Sequence, residues 1–148
     1  MTIDDKDIKI LNILLENSKL SFRKIAEKTR LSSVTILKRI KNLEKNMIIK
    51  SYTTEVDYEK LGYEITAIIR MRISKGKLFD MEKKIATDYH VFAVYDITGD
   101  FDSLVLARFK NRKSLDNFLK KIQTYDFIER TETSVVLNTI KDTNSKLE

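Results

Sequence analysis

Six side chains between Val34 and Lys45 carry the clearest chemical signal in this sequence. At helical spacing Val34, Thr35, Lys38, Lys41, Asn42 and Lys45 share one side of a helix, while Ile36, Ile40, Leu43 and Met47 follow i, i+4, i+7, i+11 on the other and are expected to point inward. Short side chains near the start of such a helix (Ser33, Val34 and Thr35, with Lys38) suit contact with base edges in a major groove. Cations further along, Lys41 and Lys45 with Asn42 between them, suit phosphates. Arg39 sits beside the apolar stripe, within reach of a phosphate or a neighbouring helix, and Ser21 and Arg23 open the preceding helix. For one helix alone, a merely solvated lysine face is the plainer alternative. Charge placement argues against it. Residues 1–50 hold 12 Lys/Arg against 6 Asp/Glu, and residues 17–50 hold 10 against 2, whereas residues 51–148 hold 16 of each. A stretch of 34 residues carrying +8 attracts a polyanion, and double-stranded DNA is the expected partner.

Other chemistries lack their parts. There is no cysteine, and the one histidine is His90, which excludes disulfides and thiolate sites and leaves histidine-rich metal sites and familiar nucleophilic triads without members. Asp96, Asp100 and Asp102 fall short of a calcium or magnesium loop, and no glycine-rich phosphate loop occurs. Neither an enzyme nor a metal or cofactor is expected, although an enzyme is the main rival class because a fold alone decides nothing. No apolar run approaches the ~20 residues that span a bilayer, and the first residues lack a basic-then-apolar leader, so a cytoplasmic protein without membrane contact is expected.

The elements that must position these residues are read from periodicity, since the chain has no proline and three glycines. Residues 4–17 place Ile8, Ile10, Leu11, Leu14 and Leu15 in one arc behind acidic Asp4, Asp5 and Asp7. Ser21 caps a short second helix with Phe22, Ile25, Ala26 and Thr29 on one face, and Ser32 caps the third. Residues 1–50 therefore read as a three-helix helix-turn-helix DNA-binding domain. Alternating Tyr52, Thr54 and Val56 predict a linker strand over 51–63, before the turn at Leu61, Gly62 and Tyr63. In the remainder, strands are expected at 65–74, 91–98, 103–109 and 129–140, with helices at 78–89 and from Ser114. That order, βαββαβ, is the ferredoxin-like arrangement, assigned to residues 64–141, with a polar tail at 142–148. The fold class is α+β.

Two helices cover one face of a four-stranded sheet, yet the first three strands are apolar at both parities: Ile68 opposes Ala67, Ile69, Met71 and Ile73, Phe92 and Val94 oppose Val91, Ala93, Tyr95 and Ile97, and Leu104 and Leu106 oppose Val105, Ala107 and Phe109. A sheet apolar on both sides needs a second cover, most simply a second copy, so a homodimer is expected.

With these residues in place, the chain resembles the Lrp/AsnC, or feast/famine, family of bacterial and archaeal transcription regulators over nearly its full length. The resemblance rests on Asp5, Ile8, Ile10, Leu11 and Leu14; Ser21, Ile25 and Ala26; and Leu31, Ser32, Thr35, Ile36, Arg39, Ile40, Leu43 and Glu44. It continues through Leu61-Gly62-Tyr63, the run Thr98 to Asp102 (TGDFD), and Thr131 and Thr133 before Val135 and Val136. It implies a sequence-specific regulator whose second domain dimerises and assembles into tetramers or octamers, with an amino acid or related metabolite bound between dimers. In that case Gly99 allows the tight turn, Asp100 or Asp102 meets an α-ammonium group, and Thr131 and Thr133 hydrogen-bond the effector. The same residues also make a sound hairpin with a local aspartate hydrogen bond. An effector-independent architectural DNA-binding protein is the alternative function. The family usually has glycine where this chain has Arg30, Met47 and Ser51. Asn46 is expected to supply the left-handed cap that a glycine at 47 would otherwise provide, and Met47 to extend the apolar stripe.

Overall fold

The computed structural model describes residues 2–74, 76–143 and 145–148, which form two compact units: Met1–Glu55 with Lys141–Glu148, and Val56–Ile140. The first unit holds three helices, α1 (Asp5–Glu16), α2 (Phe22–Thr29) and α3 (Ser33–Lys45). Asp4 caps α1 in a reciprocal box with Asp7, and Ser21 and Ser32 cap α2 and α3 by accepting from the Lys24 and Thr35 amides. Each cap satisfies an amide that the helix itself leaves orphaned. Ile10, Ile13, Ile25, Ala26, Ile36 and Ile40 form the core, with Leu43 fully buried beside them. On α1 the buried stripe is Asp7, Ile10 and Ile13, and Leu15 is exposed. The stripe is rotated from the expected arc because Asp7, an acid, is drawn inward by a cation on α3.

Both α2 and α3 end in a left-handed residue that is not glycine: Arg30 at φ 59° and Met47 at φ 57°. The Leu31 amide returns to the Ala26 carbonyl, and after α3 the Met47 and Ile48 amides return to the Glu44 and Leu43 carbonyls. These are the closing bonds of Schellman caps. Asn46 has φ −89° and is not the left-handed residue; its side chain instead donates to the Asn42 carbonyl. Met47, 66% exposed, does not extend the apolar stripe, because the reversal of φ carries its side chain off the helix face.

Residues 51–57 form neither helix nor strand, so the expected linker strand is absent from the described residues. A strand needs a ladder partner, and none of the described strands runs beside this segment. Tyr52 packs back on the first unit, its hydroxyl donating to Glu44 Oε1 at 2.8 Å. The tail is also engaged: Leu147 exchanges two backbone hydrogen bonds with the Asn12 side-chain amide, and Lys146 lies 3.3 Å from Glu16.

The second unit is a four-stranded antiparallel sheet in the order β2-β3-β1-β4, built from β1 (Ile65–Ile73), β2 (Val91–Asp96), β3 (Ser103–Phe109) and β4 (Ile128–Val135). Helices α4 (Leu78–Ala86) and α5 (Arg112–Gln123) complete βαββαβ. Ala67, Ile69, Met71, Val105, Ala107 and Phe109 meet Met81, Ile85, Leu115, Phe118 and Ile122 in one core. A register shift between Val91 and Ala93 makes Phe92 an extra residue, which puts Val91 and Val94 on the core side and Ala93 and Tyr95 on the other. Simple alternation along β2 therefore fails. Helix α4 stops at Ala86, where Asp88 starts a local turn by accepting from the His90 amide, and Tyr89 is left exposed rather than packed. Asn111, not Ser114, caps α5; Ser114 is the third helical residue and closes a reciprocal capping box. Strand β4 ends at Val135, and Leu137 and Ile140 are exposed.

A β-carbon in the left-handed region costs about 1 kcal/mol relative to glycine. Met47→Gly should therefore raise the free energy of unfolding of the full chain by about 1 kcal/mol, measured by urea titration, with no change in the slope.

Candidate nucleic-acid interface and the β2–β3 loop

The α3 helix is amphipathic in the required sense. Ile36, Ile40 and Leu43 are buried, and Ser33, Val34, Lys38, Lys41, Asn42 and Lys45 are exposed on the remaining surface, Val34 to 76%. Lys38, Lys41 and Lys45 form no ion pair among the described residues, so their charge is not neutralised within the unit. Thr35 is half-buried, and its hydroxyl lies 2.8 Å from Ser32 Oγ, which ties it to the cap while leaving a lone pair for a further partner. Ser21 and Arg23 stand exposed at the start of α2; the Ser21 hydroxyl accepts from the Lys24 amide, and Arg23 makes a loose i,i+4 pair with Glu27 at 3.8 Å.

Arg39 has a different place. Its Nη1 donates to Asp7 Oδ1 at 2.8 Å and to Asp4 Oδ1 at 2.9 Å, and the Asp7 side chain is only 3% exposed. Of the two partners open to it in the sequence, a phosphate and a neighbouring helix, it takes the helix. It belongs to the clamp that sets α3 against α1, not to the exposed cations. Hydrogen bonds donated to Asp7 and then Asp4 raise the Arg39 pKa, and the hydrogen bond from the Asp7 amide followed by that from Arg39 lowers the pKa of Asp4. Sequence reasoning missed this pair because an acid in the first turn of a helix is already explained by the helix dipole.

In the second unit the loop between β2 and β3 folds over the end of β1. The Asp102 amide donates to the Met71 carbonyl, and Asp102 Oδ2 accepts from the Ile73 amide at 2.8 Å. Gly99 has φ 118°, a conformation that side chains rarely adopt, although a β-carbon there would meet nothing within 4 Å. The requirement for glycine is thus one of backbone, not of space. Asp100 is exposed and makes no hydrogen bond or ion pair among the described residues, so of the two aspartates it has the carboxylate available to a cation. Thr131 and Thr133 stand opposite Met71 and Ile69, on the helix-covered side of the sheet and half-buried. Met71 also pairs with Ser103, so Thr131 and the loop flank one point of β1, about 10 Å apart at two strand spacings. Phe101, which sequence reasoning passed over, is buried, with the Arg70 and Arg130 guanidinium groups each 5.4 Å from its ring, and Glu132 pairs with Arg70. Arginines alternating with apolar residues along β1 were the available signal.

No helix among the described residues is long and apolar enough to cross a membrane, and none of their acidic and histidine side chains cluster as metal ligands.

Three short helices with a buried stripe and an exposed lysine face, followed by a βαββαβ unit, define a two-part helix-turn-helix regulator. Comparison with known proteins gives the same answer. Residues 3–44 match the AsnC-type helix-turn-helix domain and residues 66–146 the Lrp/AsnC ligand binding domain. An uncharacterized HTH-type transcriptional regulator of Pyrococcus furiosus is 44% identical over 142 residues, covering 96% of each chain. Among solved structures, a Neisseria meningitidis transcriptional regulator in complex with L-Met superposes with a TM-score of 0.91 at 29% identity, covering 99% of this chain and 97% of that one. AsnC of E. coli superposes at 0.92 with 26% identity, over 99% and 100%. The chain belongs to the Lrp/AsnC family of helix-turn-helix transcriptional regulators.

Removing Arg39 strands a buried carboxylate. Arg39→Leu should destabilise the chain by about 2–3 kcal/mol in urea unfolding, somewhat less than for a fully buried pair. Lys41→Gln should leave stability within about 0.5 kcal/mol. Tyr52 offers a second check, since burial and then the hydrogen bond to Glu44 push its phenol up to about 12. Because the folded value lies above the ordinary one, this contribution is complete below about pH 10 and fades as pH rises toward 12. Ultraviolet titration should show one late-ionising phenol that disappears in Tyr52→Phe.

Proposed function

We propose that the chain acts in the cytoplasm as a homodimer that reads a specific DNA sequence, and that an amino acid or related metabolite modulates it. The carrying observation is that Lys38, Lys41 and Lys45 are exposed and form no ion pair among the described residues, on a helix whose opposite face is buried. Ser33, Val34 and Thr35 at the start of α3, with Lys38, are assigned to base edges. Lys41, Asn42 and Lys45, with Ser21 and Arg23, are assigned to phosphates. Dimerisation is supported by the uncovered side of the sheet, where Ile68, Leu104 and Leu106 remain half-buried and Tyr95 is 53% exposed. Tetramers or octamers extend the same logic.

The effector reading is supported by the L-Met complex of the Neisseria relative and by the free Asp100 carboxylate on a strained glycine turn. Asp100 is assigned to the α-ammonium group. Asp102 mainly holds the loop to β1, and Thr131 and Thr133 contribute from β4 once a second chain completes the site.

Selection from random duplexes should return a near-palindrome with half-sites one helical turn or a multiple apart. Uniform protection of unrelated DNA would instead mark an architectural protein. A thermal-shift survey of the twenty amino acids should find at least one stabilising ligand, about 2.7 kcal/mol at a hundredfold excess over Kd, with the gain lost in Asp100→Asn. No stabilisation by any of them would remove an amino acid as the effector.

A further inference from the structure

Residues 51–148 are neutral only on average. Residues 108–121 hold six Lys/Arg against one Asp, a net +5, and acids elsewhere in residues 51–148 balance them. Within this stretch Lys120 pairs with Asp116, Lys121 pairs with Asp88, and Arg108 covers the rings of Tyr58 and Phe92. Lys110, Arg112 and Lys113 are left: all three are exposed, and none makes an ion pair among the described residues. Lys110 lies 5.7 Å from the Tyr63 ring, and Glu64, next to it by extension of the β1–β3 register, does not pair with it.

Folding does not account for these cations. Arg112 and Lys113 occupy the first turn of α5, which contains no acid. Positive charge there opposes the helix dipole, which favours acids such as Asp5 and Asp7 of α1 at that position. Three exposed cations without an ion pair among the described residues, two of them set against the helix dipole, in a protein whose partner is a polyanion, complement phosphate.

We propose that Lys110, Arg112 and Lys113 form a second DNA-backbone contact, on the βαββαβ unit, which takes up duplex flanking the segment read by α3. This rests on the assignment of α3 to DNA. The contact reads no sequence; it adds affinity for long DNA and steepens its salt dependence. An acidic protein segment is the other polyanion that would fit, and it is less favoured because the DNA is already held by the same chain.

The test compares the full-length protein with Lys110→Gln/Arg112→Gln/Lys113→Gln on duplexes of about 60 and about 20 base pairs, roughly six and two helical turns, by fluorescence anisotropy over a range of salt. On the long duplex the slope of log K against log salt should become shallower by about two to three units, and on the short duplex it should not change. The melting temperature should be unchanged or higher, because a dipole mismatch is removed. An unchanged slope on the long duplex would overturn the contact, as would a loss seen only with poly-glutamate as probe. Lys41→Gln/Lys45→Gln separates the two readings. If this pair weakens binding and the triple variant does not, only the second contact falls; if the triple variant alone weakens it, the α3 assignment falls and takes the flanking role of the second contact with it.

Discussion

Arg39 leaves α3 sideways and places one guanidinium nitrogen 2.8 Å from Asp7 Oδ1 and 2.9 Å from Asp4 Oδ1 at the start of α1. Apolar packing of Ile36, Ile40 and Leu43 is non-directional and would tolerate a modest roll of the helix. A pair of charge-assisted hydrogen bonds to carboxylates fixed by their own capping box would not. The roll of α3 decides which side chains can meet a groove, so the recognition proposed for Ser33, Val34 and Lys38 would depend on an ion pair internal to the protein. Burying Asp7 makes the constraint strict, because the carboxylate has a large desolvation cost and Arg39 is the cation that offsets it.

The second unit uses backbone more than charge to hold its loop. The Ile97 amide closes the turn around Gly99 on the Asp102 carbonyl, and two further hydrogen bonds, from the Asp102 amide to Met71 and from the Ile73 amide to the Asp102 carboxylate, fasten it to β1. Asp102 is thus part of the frame. Asp100, one residue past the turn, is presented to solvent. Phe101 between them is buried beneath Arg70 and Arg130, so the loop cannot swing without exposing an aromatic ring. A ligand held at Asp100 would therefore act on a loop that is already ordered.

Much of this was legible in the sequence, for identifiable reasons. Hydroxyl caps at Ser21 and Ser32 are local chemistry, and each was read at its residue. The order of strands and helices followed from periodicity, and the inward stripe of α3 held for Ile36, Ile40 and Leu43. What failed depended on partners distant in the chain or on one residue of backbone. Asp7 is inside because of Arg39, 32 residues away. The parity of β2 is broken by one bulged residue, and Met47 is turned out by one positive φ angle. The 51–57 segment has strand composition but no ladder partner in a single chain. Neutral net charge over residues 51–148 hid the basic stretch at 108–121, since a sum carries no position.

The central claim, that α3 presents Lys38, Lys41 and Lys45 to DNA while Arg39 holds it in place, is tested most directly by the reactivity of its lysines. Brief acetylation of the protein with and without a selected duplex, read by mass spectrometry, should show Lys38, Lys41 and Lys45 protected in the complex, with Lys83 and Lys120 equally reactive in both states. Full reactivity of the three α3 lysines in the bound protein would contradict it.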